Sequence, residues 1–322
     1  MPMQLKIYSK DGWMAYEVCE YIMKHLIDIK NLDSEQILNI CSQADIHKTN
    51  SKKKNRKILK GKTIANIFFE NSTRTLISFE LAAKRLGADV INVNVANSSV
   101  AKGENLKDTI LTLQAMKVDA FIIRHSENKI CQQIRQWLKP KVVLINAGDG
   151  NNQHPTQALL DVYTILQHKP NIAELKVAII GDILHSRVAN SLIDALHILG
   201  NQQIHLFGPP ELLPQTAEMA IVCTSMQQAL QNSDVIIMLR IQTERMSKQD
   251  IPTLESYHKQ FGLNRQTLAF ARPSCIVMHP GPINRAVEIS SEIADNSPSV
   301  ILKQVKNGIL IRQAVLTMLI NT

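Results

Sequence analysis

Along the chain, short runs of β-branched and other apolar residues alternate with longer stretches whose apolar positions recur every three or four residues. The runs "KTIANIFF", "ADVINVNV", "DAFIIRH" and "KVVLINAGDG" read as strands. Helical spacing follows them from residue 75 to 86, 105 to 116 and 129 to 138. A second alternating set comprises "LKVAIIGD", a helix over 187–199, "QQIHLFG", "SDVIIMLR" and "SCIVMHPGP". Alternation of this kind predicts an α/β fold with two doubly wound parallel-sheet domains. Ahead of the first set, "WMAYEVCEYIMKHLIDI" reads as a helix with one apolar face, and "LDSEQILNICSQA" as a helix capped by Asp33 or Ser34. Between the sets, "NAGDGNNQHPTQ" is the densest cluster of breakers, and a domain boundary is expected there, followed by a helix over 155–168 with proline in its first turn. A last helix over 309–320 is expected to pack back on the first domain. The predicted division is residues 1–153 plus 305–322 against residues 154–304.

Composition narrows the class. With 322 residues, 45% apolar and 20% charged, the chain suits two globular domains. No run nears the roughly 18 apolar residues of a membrane span, and the N-terminus lacks the apolar core of a secretory signal. The five cysteines form no CxxC pair, which speaks against a zinc site or disulfide framework and for a cytoplasmic setting. The net charge of +8 comes from one place. Residues 47–62, "HKTNSKKKNRKILKGK", carry eight Lys or Arg and no acid, and read as a solvated surface loop. No aromatics interleave with those lysines, which weakens a reading as a single-strand nucleic-acid binder.

Polar clusters fall where strands end, the place at which open parallel sheets bind ligands. "FFENSTRT" sets three hydroxyls and Arg74 at a helix start, where exposed N–H groups and the dipole favour an anion such as phosphate. A plain cap by Ser72 or Thr73 is the ordinary alternative, but a cap needs only one hydroxyl. Arg124 closes an apolar strand, and a charge there is costly to bury without an anionic partner. His154 and Gln157 in "HPTQ" are placed to face the same cleft. Arg187 in "HSRVANS" and Arg240 in "LRIQTER" suggest a ligand with a pair of carboxylates. "ANSSVAKGENLKDT" is a loop carrying Lys102, and "HPGP" a rigid turn with free carbonyls.

In this order, "FFENSTRT", "SSVAKGE", "IIRH", "NAGDGNNQHPTQALLD", "GDILHSRVANS", "MLRIQTER" and "HPGPINR" resemble the catalytic subunits of the aspartate carbamoyltransferase family, from about Ile27 to Ile320. The resemblance implies transfer of a carbamoyl group from carbamoyl phosphate to L-aspartate in pyrimidine biosynthesis, with no cofactor and no metal. Ser72, Thr73, Arg74, Thr75, Arg124, His154, Gln157, Gly281 and Pro282 match carbamoyl-phosphate binders. Arg187, Arg240, Gln242 and Lys102 match the aspartate site. Ser99, with Ser98 adjacent, and Lys102 match a loop lent by a neighbouring subunit. This implies a homotrimer with shared sites, alone or in a larger assembly with regulatory chains or dihydroorotase. By the same resemblance, the first domain binds carbamoyl phosphate and the second aspartate. One departure is Ala286 in "INRAVEI", where the family leads one to expect glycine.

Two rivals stand beside this reading. An ornithine-type transcarbamylase would need an acid for a cationic side chain, where this chain offers Arg240, and usually carries "HCLP" where "HPGP" stands. A polyanion-binding protein using the 47–62 segment would leave the ordered strand-end motifs unexplained. Neither nucleic acid nor membrane is an expected partner.

Overall fold

The computed structural model describes residues 23–94, 104–242 and 254–321. The first sheet holds β1 (Thr63–Phe68), β2 (Asp89–Asn94), β3 (Ala120–His125) and β4 (Val143–Asp149), in the order β2-β1-β3-β4. The second holds β5 (Val177–Ile180), β6 (Ile204–Phe207), β7 (Ile221–Val222), β8 (Val235–Met238) and β9 (Ile276–Met278), in the order β7-β6-β5-β8-β9. All pairings between these strands are parallel.

Helices α1 (Ser34–Thr49), α3 (Thr73–Leu86), α4 (Leu106–Ala115) and α5 (Ile130–Trp137) flank the first sheet, with α2 (Lys52–Asn55) a single turn. Helices α6 (Pro155–Leu166) and α7 (Arg187–Ile198) lie between the sheets. The short α8 (Met226–Leu230), α9 (Leu254–Phe261), α10 (Arg265–Leu268) and α11 (Ser291–Asp295) belong to the second lobe, and α12 (Ile301–Ile320) ends the described chain.

Because the sheets are covered on both faces, their strands are nearly uninterrupted apolar runs whose alternate residues enter different cores. Ile64, Ile122 and Ile145 face one cluster, while Ala65, Ile67, Phe121 and Ile123 face another with Ile110 of α4 and Ile134 of α5. The first cluster continues through Leu159 and Val162 of α6, Leu192 of α7 and Leu316 of α12 to Ile179 and Ile237 of the second sheet. The two sheets therefore share one continuous apolar core.

Each sheet reverses its strand order once, between β1 and β3 in the first and between β5 and β8 in the second. At such a point the connections leave to opposite sides and open a crevice beyond the strand ends. Ser72–Thr75 and Arg124 sit at the first of these points, Arg187 and Arg240 at the second.

Three expectations need correction, and a few short elements go unforeseen. The last helix begins at Ile301, not near residue 309, and does pack on α1 and α3 of the first lobe, and on α6. The stretch before Ile29 is not helical over residues 23–28; instead Leu26 joins β4, donating to Leu144 O and accepting from Asn146 N. The basic segment 47–62 is not a plain loop. It contains the end of α1 and all of α2, and is anchored by buried His47, Asn55 and Leu59. His47 Nδ1 meets Asn55 Oδ1 at 3.2 Å, and the Asn55 amide donates to His47 O, so the lysines stand outward from an ordered base. Finally, the sequence pattern shows neither β7 nor the short helices α8 to α11, whose few residues carry too little periodicity to register.

Candidate active site

A cleft of about 570 Å³ opens where the strand ends of the two sheets meet. Ser72, Thr73, Arg74, Thr75, Arg124, His154, Gln157, Arg187, Arg240, Gln242, Gly281 and Pro282 all line it. Ser98, Ser99 and Lys102 lie outside the described residues.

Local structure explains how each group arrives. Ser72 is the N-cap residue of α3, yet its side chain makes no cap hydrogen bond, so the first turn keeps donors for a ligand. The plain-cap alternative fails here. Helix α6 starts the same way: His154 precedes Pro155 and no side chain caps the helix. Arg124 leaves β3 at a register shift between Ile123 and His125, and its Nη1 donates to Ala147 O at 3.2 Å. Arg187 opens α7 next to the Ser186 cap. Gln242 is held by two bonds, its N–H on Asp182 and its Nε2 on the carbonyl of His185.

Two glycines make room for the guanidinium groups. Gly148 has φ +119, and a Cβ there would stand 2.9 Å from Arg124 Nη1 and 3.1 Å from Arg187 Cζ. Gly281 has φ +70, and a Cβ would stand 2.8 Å from Arg74 Cζ. Both need the left-handed conformations that glycine adopts freely and the absence of a side chain.

The described lining contains five arginines, Arg74, Arg124, Arg187, Arg240 and Arg312, against one acid, Glu70. Glu70 lies between two of them, 2.6 Å from Arg187 Nη2 and 3.4 Å from Arg124 Nη2. A lining so rich in guanidinium groups favours anions. Burial, then the nearby Arg240, lowers the pKa of Arg74, a like-charge strain that a bound anion would relieve. His154 is 4% exposed, and its backbone N–H donates to Ser191 Oγ at 2.8 Å. Burial first, then Arg124, Arg187 and Arg312, push its pKa well below the ordinary value. The imidazole is therefore neutral near pH 7 and offers one N–H to a ligand. Its Nδ1 is buried with no hydrogen-bond partner among the described residues.

Comparison with known proteins gives this arrangement a lineage. Residues 24–167 match the model of the aspartate/ornithine carbamoyltransferase carbamoyl-P binding domain, and residues 173–319 that of the Asp/Orn binding domain. The chain belongs to the aspartate/ornithine carbamoyltransferase family. The catalytic subunit of M. jannaschii aspartate transcarbamoylase is 36% identical, with 93% of this chain and 98% of that chain covered and a TM-score of 0.80. Aspartate transcarbamoylase from Trypanosoma cruzi, in complex with carbamoyl phosphate and aspartate, is 28% identical over 92% of this chain and 96% of that one, at 0.80. Ornithine carbamoyltransferase from Pyrococcus furiosus is 27% identical over 92% and 97%, at 0.81. The protein is thus a carbamoyltransferase, and the two family matches meet between α6 and β5.

Several lining residues of this carbamoyltransferase carry no clear signal in its sequence. Glu70 sits inside the "FFENSTRT" motif, but nothing local marks it as the partner of two distant arginines. Gln304 precedes the expected start of the last helix, and Arg312 lies within that helix, away from any strand end. A weaker signal is present: Gln304, Gly308 and Arg312 break an apolar helix at i, i+4 and i+8, one face by helical geometry.

Proposed function

We propose that this carbamoyltransferase acts on L-aspartate, giving N-carbamoyl-L-aspartate and phosphate, the step expected in pyrimidine biosynthesis. The observation that carries the choice of acceptor is the placing of Arg187 and Arg240 on the second-lobe side of the cleft. A dicarboxylate needs such a pair. Ornithine would react through its side-chain amine and keep an α-ammonium that calls for an acid, and Glu70 is already engaged by Arg187 and Arg124.

Charge supports the same substrates. The phosphate of carbamoyl phosphate carries roughly −2, and the two carboxylates of aspartate about −2 more. No covalent nucleophile is required, since the amine attacks an already activated carbonyl; positioning and charge stabilisation do the work. In this mechanism Arg74 and the first turn of α3 hold the phosphate as it leaves, joined by Lys102 of a neighbouring subunit in a homotrimer. Thr75, Arg124 and neutral His154 donate to the carbonyl oxygen as it becomes an oxyanion. Gln157 orients the carbamoyl amide, while Arg187, Arg240 and Gln242 hold aspartate. Closure of the second lobe over bound carbamoyl phosphate completes the site.

A direct test compares product formed from carbamoyl phosphate with aspartate and with ornithine. Carbamoyl-aspartate as the main product supports the assignment; turnover with ornithine alone sinks it. Mixing an Arg74→Ala variant with a Lys102→Ala variant tests the shared site, because subunit exchange would restore some intact sites and hence activity. Additive, unrestored rates would count against lending.

A further inference from the structure

Beneath the cleft floor, a chain of hydrogen bonds joins the two sides that the proposed reaction must bring together. Asp161 lies on α6, one turn after Gln157, with 0% exposure. Its Oδ1 accepts from Gln157 Nε2 at 3.0 Å and from Gln304 Nε2 of α12 at 2.6 Å. The other end of the Gln304 amide accepts the His279 N–H at 3.1 Å. His279 Nδ1 in turn accepts the Gly281 N–H at 2.8 Å, and its Nε2 lies 3.0 Å from Glu288 Oε1. Since Nδ1 is the acceptor in that turn, Nε2 carries the proton and donates to the carboxylate.

We propose that Asp161 is a positioning residue for carbamoyl transfer: by accepting from both glutamine amides it fixes the orientation of Gln157 and, through Gln304, the place of the 279–282 turn. The proposal rests on the carbamoyl-transfer reading above. Oδ1 accepts in both bonds, and a proton, when present, sits on the unpartnered Oδ2, so each glutamine must turn its NH₂ group toward Asp161. The carbonyl of Gln157 is thereby left for the cleft, where it meets an N–H of the carbamoyl group. The carbonyl of Gln304 is committed to the 279–282 turn, whose Gly281 and Pro282 line the cleft. One buried atom thus sets the sense of two amides on opposite sides of the site.

Physical chemistry argues that this group is there for more than holding the fold. Burial raises the Asp161 carboxyl to about 7, against the weaker lowering effects of Gln304, Gln157 and Arg312. Its Oδ2 has no hydrogen-bond partner among the described residues. Such a buried acid destabilises the fold in a way that an apolar or amide side chain would avoid. Strain kept at a site is a common companion of pre-organisation.

The test compares Asp161→Ala, Asp161→Asn and Gln304→Ala in steady-state kinetics with both substrates varied, alongside thermal unfolding. The wild type is assayed first with aspartate and with ornithine, and whichever turns over serves for the variants. A wrong acceptor therefore shows in the wild type, and a wrong role for Asp161 only in the variants. Asp161→Ala should lose about 10²-fold in kcat/KM. Asp161→Asn, which keeps one accepting oxygen, should recover about tenfold of that while melting no lower than the wild type at pH 8. Gln304→Ala should raise the carbamoyl-phosphate KM more than the acceptor KM. If Asp161→Ala does not fold, the Asn variant decides alone: a reduced kcat/KM at undiminished stability supports the role, and wild-type kinetics overturn it. Equal changes in both KM values for Gln304→Ala, or losses that track melting temperature, would also overturn it.

Discussion

Helices α1 and α3 both start at a polar residue after extended chain, and they treat that residue in opposite ways. In α1, Asp33 accepts from Gln36 N at 2.8 Å and Gln36 Oε1 takes the Asp33 N–H at 3.0 Å, a closed capping box. In α3, Ser72 makes no cap bond, and the helix start is turned toward the cleft. One end has its donors satisfied within the chain and serves stability. The other leaves them open toward the cleft, which suits an anion, at a cost of roughly 1 kcal/mol of capping. The same contrast separates α7, capped by Ser186, from α6, which has no side-chain cap behind His154. A hydroxyl at a helix start is thus a functional signal when it declines to cap.

The comparison is broken most severely at Arg74. Arg74→Ala should cost about 10²–10³ in rate, while the melting temperature holds or rises because a desolvated charge, repelled also by Arg240, is removed. A melting temperature that falls in step with activity would place Arg74 on the stabilising side.

Next in size is Asp161→Asn, read by stability against pH. The folded carboxyl keeps its proton to about pH 7, whereas in the unfolded chain it ionises near the ordinary 3.8. The native state therefore binds the extra proton between those values, and this group's contribution to stability declines as pH rises from about 4 to 7. Asparagine removes that decline. The variant should gain about 1–3 kcal/mol over the wild type at pH 8 and little at pH 4, discounted from the full shift because Arg312 loses a partner. Parallel stability curves for the two proteins would contradict this.

A paired experiment sharpens the contrast of helix starts itself. Asp33→Ala should lower stability by about 1 kcal/mol with kcat unchanged. Ser72→Ala should shift stability by less than about 0.5 kcal/mol and lower kcat/KM about tenfold, since one donor to the ligand is lost. Denaturant melts and kinetics on both variants would show whether the two losses exchange places.

The smallest effect concerns Ala286, whose φ of +61 lies in the left-handed region. Ala286→Gly should raise stability by about 0.5–1 kcal/mol, measured by chemical unfolding. A loss would mean that the Ala286 methyl packs usefully.

Much of this site is legible in the amino-acid order alone, because strand ends and helix starts are local events. Ser72–Thr75, His154, Arg187 and Arg240 each follow a strand closely and Arg124 stands near the end of one, and the strand pattern says where they gather. Their bulky neighbours in the cleft are less legible for a physical reason. Gln304 meets Asp161 across 143 positions of sequence, and Arg187 meets Glu70 across 117. No periodicity encodes such pairs. Gly148 reads in the sequence only as a breaker, although it sits inside β4 and clears space for two arginines. The basic segment misleads in another way: its charge speaks for solvent, while buried His47, Asn55 and Leu59 tie it down. Ala286 stands out as a departure, and its backbone angle supplies the reason glycine is expected there.

The placing of α12 bears on how the protein is made. Gln304 and Arg312 complete the floor of a cleft whose first-lobe wall is built from segments translated much earlier, and Leu316 and Leu319 fill the core beside α1 and α3. On the ribosome, the opening lobe must therefore wait, with a groove of apolar surface uncovered, until the last turns of this helix emerge. Maturation of the pocket is thereby tied to the synthesis of this helix, and a nascent chain stalled before Ile301 would hold Ser72–Thr75 and Arg124 without the strut beneath them.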